Sequence, residues 1–226
     1  MGTGDNSTAV LLSAGLDSAV LAAVEAQRRR VHPIYVSTGL AWENGELAAL
    51  DRLLAVPPFA GRVESLARLS FTVEDLYPET HWARRGEAPA FDTPDEDVYL
   101  AGRNIILLSK ASIYCAGHKI ERIALGPLSG NPFPDATPRF FSTMGTALSL
   151  GLAYPLRIDA PFSTMQKSEV ILLGLELGVP LELTLSCMNP QGVLHCGQCS
   201  KCRERRDAFL EARVEDPTEY AAPPAR

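Results

Sequence analysis

The chain has 226 residues, 46% hydrophobic and 21% charged, which excludes an intrinsically disordered chain and leaves room for one substantial domain with at most a small appendage. Acidic residues outnumber basic ones, 27 to 21, so the formal charge of -6 offers no global attraction for a polyanion and disfavours a nucleic-acid partner. No uncharged apolar run reaches about 18 residues, which argues against a transmembrane helix and a membrane partner.

In chain order, Ala9–Leu12 reads as a short strand, followed by the turn Ser13-Ala14-Gly15 and a helix over 17–29 that ends in an arginine run. Val31–Val36 predicts a second strand, 43–56 a second helix, and Arg62–Leu66 a third strand. Residues 72–98 break the pattern with Pro78, Pro89 and Pro94 and the aromatics Tyr77, His81 and Trp82; the stretch reads as a lid or as mobile surface. Order returns with a helix over 104–116, a strand over 120–125 and a proline-punctuated loop over 126–138. A helix near 140–151, a strand at 156–158 and helices over 166–177 and about 200–213 follow, before a tail with Pro217, Pro223 and Pro224. Short unalternated strands between helices predict a parallel sheet covered on both faces. MGTGDNSTAV has no basic start, apolar stretch or cleavage site, so no signal peptide is expected, and the protein is expected in the cytoplasm.

Two segments carry chemistry. In VLLSAGLDSAVLAA, residues 10–23, a strand runs through a glycine turn into a helix, an arrangement whose first amides and dipole favour anions. Ser13 and Ser18 add hydroxyls, while neither a Walker A loop nor a GxGxxG fingerprint is present. The plainer reading is an ordinary strand-turn-helix capped by Asp17. In the second segment, Cys187 precedes Cys196-x2-Cys199-x2-Cys202. Two-residue spacers turn thiolates toward one centre, and four cysteines with no open position describe a structural zinc. Iron–sulfur ligation uses the same spacing and is the competing reading. His195 is surplus to a four-cysteine site, and Cys115 reads as a core thiol.

The first segment resembles the SGGxDS motif of the PP-loop ATP pyrophosphatases, with Ala14 where that class has glycine. Together with the cysteine knuckle and the Arg-Arg-Asp-Ala-Phe that follows it, the chain resembles the 7-cyano-7-deazaguanine synthase family over residues 7–212. AGRNIILLS (101–109), SGNPFPDATPRF (129–140), DAPFSTMQKSEV (159–170) and ELTLSC (182–187) carry further likeness. The resemblance implies a Rossmann-type PP-loop α/β domain over 1–180, and a zinc-binding segment with a helix over 181–226. It implies ATP, Mg2+ and Zn2+ as cofactors, a 7-deazapurine carboxylate and ammonia as substrates, and a homodimer. Ser13, Ala14, Gly15, Leu16, Asp17 and Ser18 would cradle ATP. Asp17, Lys167 and Arg103 would act in catalysis, and Asn104, Asp135 and Arg139 would bind substrate, Asp135 taking its amidine edge. Cys187, Cys196, Cys199 and Cys202 would hold the metal.

Two segments depart from the family. Ser37-Thr38-Gly39-Leu40-Ala41-Trp42-Glu43 replaces an Asp-Tyr-Gly-Gln-like run, and Ala136-Thr137 replaces a Cys-Arg pair, leaving Arg139 to stand in for the lost arginine. These departures keep open an amide-forming or conjugating ligase for another carboxylate, and Ala14 keeps open a silent ATP-binding relative.

Overall fold

The computed structural model describes residues 6–223; the first five residues of MGTGDNSTAV and Pro224 of the tail lie outside the described residues. The short apolar runs form β1 (Ser7–Leu11), β2 (Arg30–Ser37), β4 (Arg122–Ala124) and β5 (Arg157–Asp159), joined by an edge strand β3 (Ala67–Ser70). All pairings are parallel and the order is β3-β2-β1-β4-β5, so the order in which the chain winds across the sheet reverses between β1 and β4. In such sheets ligands bind at the carboxyl ends of the strands beside that reversal.

The helices are α1 (Leu16–Ala26), α2 (Glu43–Leu54), a single turn α3 (Trp82–Arg85), α4 (Arg103–Gly117), α5 (Pro138–Leu152), α6 (Lys167–Glu176) and α7 (Ser200–Ala212). On one face of the sheet Val20 and Leu21 of α1, Leu50 and Leu53 of α2, Ile171 of α6 and Phe209 of α7 share a core with the four clustered cysteines. On the other, Leu108, Ala111 and Cys115 of α4 pack with Phe141 of α5 against Ile123 and Ile158. Gly174 lets α6 lie against α1, since a Cβ there would sit 2.8 Å from Val20 Cγ2. Glu25 at the end of α1 is clipped to the sheet by Arg122, whose Nη1 and Nη2 donate to its two carboxylate oxygens at 2.7 and 2.9 Å. Among the described residues, no helix is long and apolar enough to cross a membrane.

The third strand starts later than the sequence predicts. Within 62–66 only Val63 bridges to Val31, and β3 pairs Ala67–Ser70 with Ile34–Ser37. As an edge strand β3 exposes alternate residues, and it therefore lacks the continuous apolar run that marks the inner strands. Helix α1 also ends early, at Ala26, because the arginines that follow form the turn into β2.

The irregular 72–98 stretch is docked against α7. Ala90 bridges to Cys199, Arg203 Nη2 donates to the Thr93 carbonyl at 3.1 Å, and the Arg206 guanidinium lies 4.7 Å from the Phe91 ring centre. Trp82 stacks on Trp42 at 5.8 Å, and Arg84 donates to the Tyr77 carbonyl at 2.8 Å. The segment is thereby held as a wall over the strand ends.

Candidate active site

At the end of β1 the chain turns through Ser13-Ala14-Gly15 and enters α1 with Gly15 as its N-cap and no side-chain capping bond, so the first amides of α1 are left for a ligand. Ser18 Oγ donates to the Gly15 carbonyl at 2.9 Å and accepts from the Ser13 amide at 3.4 Å, which fixes the turn. Ser13, Gly15, Leu16, Asp17 and Ser18 line a cavity of about 550 Å³ at the strand ends. Ala14 does not. Its backbone is left-handed, with φ at 62°, its methyl group is fully buried in the core, and its carbonyl accepts from the Leu185 amide at 2.9 Å.

The methyl is therefore turned away from the cavity side of the loop, and the glycine of the PP-loop pattern reflects backbone conformation. Replacing Ala14 with glycine relieves about 1 kcal/mol of left-handed strain. It also loses a buried methyl, about 0.8 kcal/mol, and loosens the unfolded chain by about 0.7 kcal/mol. The net change is expected within about 1 kcal/mol. Ala14→Val, a branched side chain at positive φ in a filled core, is expected to lose about 3 kcal/mol, or about 8 °C in a thermal melt. Equal melting temperatures for the two variants would contradict this account of the loop.

A chain of alternating charges crosses the cavity floor. Lys167, the first residue of α6, lies 3.3 Å from Asp17 Oδ2 and also pairs with Glu204 of α7, while Lys201 pairs with Glu204 and lies 3.8 Å from Asp95. With only 14% of its side chain exposed, Lys167 is no solvated surface lysine. Burial alone would pull its ammonium down, but Asp17 and Glu204 outweigh that and hold it above its ordinary value. Burial pushes Asp17 up against the pull of Lys167. It also pushes Glu204 up, yet Lys167 and Lys201 prevail and bring that carboxyl down to about 2. Glu204 is absent from the sequence reading; its position between arginines on the knuckle helix is the only signal it leaves.

Arg103 and Asn104 open α4 on the facing wall, with Asp135 behind them. Asp135 is 5% exposed, and its Oδ2 accepts from the Asn104 amide at 3.1 Å, while Asn104 Nδ2 donates to the Asp135 carbonyl at 2.9 Å. Asp135 thus caps α4, and burial raises its carboxyl against those bonds. Arg139 departs from expectation: it sits exposed on the first turn of α5 and does not line the cavity. Pro138 starts α5 there with Thr137 as its cap, and that geometry carries the following side chain outward.

Asp17 Oδ1, Arg103 Nε and Ser129 Oγ are buried without a hydrogen-bond partner, and all three residues line the cavity. Buried polar atoms are ordinarily paired, so a carboxylate oxygen, a guanidinium and a hydroxyl left together fit a polyanion accompanied by a cation. Two residues missed by the sequence reading, Tyr35 and Glu46, complete the wall: Tyr35 Oη donates to Glu46 Oε2 at 2.7 Å.

Behind this cavity the Sγ atoms of Cys187, Cys196, Cys199 and Cys202 lie within 4.8 Å of one another, all buried and none in a disulfide. Three of the pairs are separated by 3.9, 3.9 and 3.5 Å. Sulfurs about 2.3 Å from a single tetrahedral ion lie about 3.8 Å apart, so the knuckle fits one mononuclear metal. Amides of Asn189 and Cys196 donate to Cys187 Sγ at 3.3 and 3.2 Å, as thiolates require. His195 is not a ligand, since its Nε2 accepts from the Ser186 amide at 3.0 Å. Arg205, 1% exposed, ties α7 to the segment before the knuckle through Thr184 Oγ1 and the Leu181 carbonyl, both at 2.8 Å. Cys115 is fully buried on α4 and burial pushes its thiol up to about 12, which leaves it inert.

A parallel sheet with an uncapped glycine turn into a helix where its strand order reverses, a largely buried lysine over that turn and a four-cysteine knuckle define the class: a PP-loop α/β protein of the ATP-dependent carbon–nitrogen ligases. The family model described as queuosine biosynthesis protein QueC matches residues 7–213, and the chain belongs to that family. It is 33% identical over 220 residues to the 7-cyano-7-deazaguanine synthase of Methanothrix thermoacetophila, covering 93% of this chain and 96% of that one. To the 7-cyano-7-deazaguanine synthase of Anaeromyxobacter dehalogenans it is 35% identical over 222 residues, covering 94% of each. Among solved structures, NMN synthetase from Francisella tularensis is similar over 95% of this chain and 79% of its own, with a TM-score of 0.47 and 14% identity.

Proposed function

We propose that the chain converts 7-carboxy-7-deazaguanine and ammonia to 7-cyano-7-deazaguanine at the expense of ATP. Family membership over nearly the whole chain supports the reading, and the observation that carries it in this molecule is the Asp17–Lys167 pair set over the turn into α1. A substrate carboxylate oxygen attacks the α-phosphorus, the bond to pyrophosphate breaks, and an acyl-adenylate forms. Ammonia attacks the acyl carbon and AMP leaves, giving an amide and releasing a proton. With a second ATP the amide oxygen is adenylated in turn, and loss of AMP and the nitrogen's protons leaves the nitrile.

These steps need alignment, charge relief and exclusion of water more than covalent help. Ser13, Gly15, Leu16 and Ser18, with the backbone of Ala14, would hold the phosphates, and Lys167 would offset charge growing on the pyrophosphate. Arg103 would take the substrate carboxylate or a phosphate, and Asn104 would contribute its amide. Mg2+, when bound, relieves phosphate charge, and Asp17 is the residue whose free Oδ1 would hold it. Zn2+ would close the knuckle as a structural ion. In this reading residues 1–180 form the nucleotide-binding unit and 181–226 the knuckle and its helix, and the enzyme works in the cytoplasm as a homodimer.

The test is to incubate the protein with 7-carboxy-7-deazaguanine, ATP, Mg2+ and an ammonium salt and to follow products by mass spectrometry. Nitrile with AMP is the expected result. Amide alone would stop the reaction halfway, and absence of AMP would overturn the substrate. A second reading, an amide-forming ligase for a different carboxylate, is favoured by one observation: Arg139, the one basic residue of the 129–140 loop, faces out of the cavity.

A further inference from the structure

The substrate just proposed presents a lactam edge: a carbonyl, then a ring N–H, then an amino group. Asp135 lines the cavity but takes the Asn104 amide on Oδ2 and meets Asn104 Nδ2 at 3.5 Å on Oδ1, which leaves Glu46 the less engaged acceptor for the two adjacent donors. Glu46 is 8% exposed on α2, lines the cavity, and has only one hydrogen-bond donor among the described residues, Tyr35 Oη, on its Oε2. Trp42, one turn earlier, and Trp82 line the same wall as a stacked pair, with ring planes 18° apart. Arg103 stands on the opposing wall.

Resting on the function proposed above, we propose that Glu46 is the residue that selects the heterocycle, its carboxylate accepting from the ring N–H and the 2-amino group while the Trp42–Trp82 wall covers the flat ring. A carboxylate matches two neighbouring N–H donors, and aromatic faces supply area for a planar heterocycle. The same carboxylate rejects an adenine edge, where a ring-nitrogen lone pair would face it beside a single amino group. Glu46 therefore separates the acceptor substrate from the adenine of ATP within one cavity.

The groups facing Glu46 are Tyr35 from β2, Glu43 from its own helix and Arg103 from α4. Burial raises its carboxyl to about 7 against the pull of Arg103, so affinity for the heterocycle rises as pH passes upward through about 7. Glu43 is no substitute, since it accepts from the Thr38 amide at 2.7 Å and closes the turn after β2.

The test is calorimetric titration of the full chain with 7-carboxy-7-deazaguanine and with its 2-desamino analogue, for wild type and Glu46→Gln, across pH 6 to 8. Wild type is expected to bind the parent about 100-fold more tightly than the analogue, because a site built for an N–H donor is left unpaired without it. Glu46→Gln is expected to shrink that ratio to about 5-fold and to flatten the pH dependence. A wild type that binds both compounds equally overturns the proposal, as does a folded Glu46→Gln that keeps the ratio. A wild type that binds ATP but not the parent overturns the substrate assignment itself, and the proposal with it. If the variant does not fold, the pH profile of the wild type decides: a parent/analogue ratio that rises through about pH 7 supports Glu46, and a flat ratio overturns it.

Discussion

Lys167→Ala is expected to lower AMP formation about 1000-fold, the scale on which a preorganised cation stabilises charge developing in a transition state. Among the described residues, Lys167 alone pairs with both Asp17 on the turn into α1 and Glu204 on α7. Without it two largely buried carboxylates face each other across the cavity floor, and Glu204 keeps only Lys201. That repulsion lies where the pyrophosphate would carry its charge, so both ATP affinity and rate should fall. Stability should fall by only about 2 kcal/mol, below the loss for a fully buried pair, because all three side chains retain some solvent contact. Single-turnover AMP release and a thermal melt, read together, check this. A folded Lys167→Ala within 10-fold of wild type would remove Lys167 from the chemistry.

Stripping the knuckle of metal is expected to lower stability by about 4 kcal/mol, or about 12 °C in Tm. The four thiols share the core with α1, α2 and α7, so their repulsion as thiolates, or their reprotonation, is felt in the main domain. The loss should travel further. Cys199 and Cys202 bracket the start of α7, which carries Lys201 and Glu204 to Lys167 and receives the 89–93 segment through Ala90 and Thr93. Metal-free protein should therefore be cut by protease first within 72–98. Chelated protein that melts like the metal-loaded form, with that stretch still protected, would separate the knuckle from the site.

Much of the fold is legible along the chain because its signals are local. Buried inner strands are short apolar runs, α1 is rich in small helix formers, and Gln166 with Glu169 closes a capping box where α6 begins. β3 is misplaced because an edge strand has no such run. The turn at 13–18 and the four cysteines are equally local, since their geometry follows from neighbours in sequence.

The cavity's other groups are not local. Glu204 meets Lys167 across 37 positions, Asp135 meets Asn104 across 31, and nothing near Glu46 in sequence marks it as a cavity wall. The same applies to direction: Ala14 points into the core and Arg139 away from the cavity, although both belong to segments that resemble a ligand site. Sequence by itself determined the inner strands, the glycine turn into α1 and the four-cysteine cluster, because hydrophobic period, turn chemistry and ligand spacing act over a few residues. Only the tertiary structure decided which charges face one another in the cavity, because burial and electrostatic pairing depend on where distant helices bring their side chains.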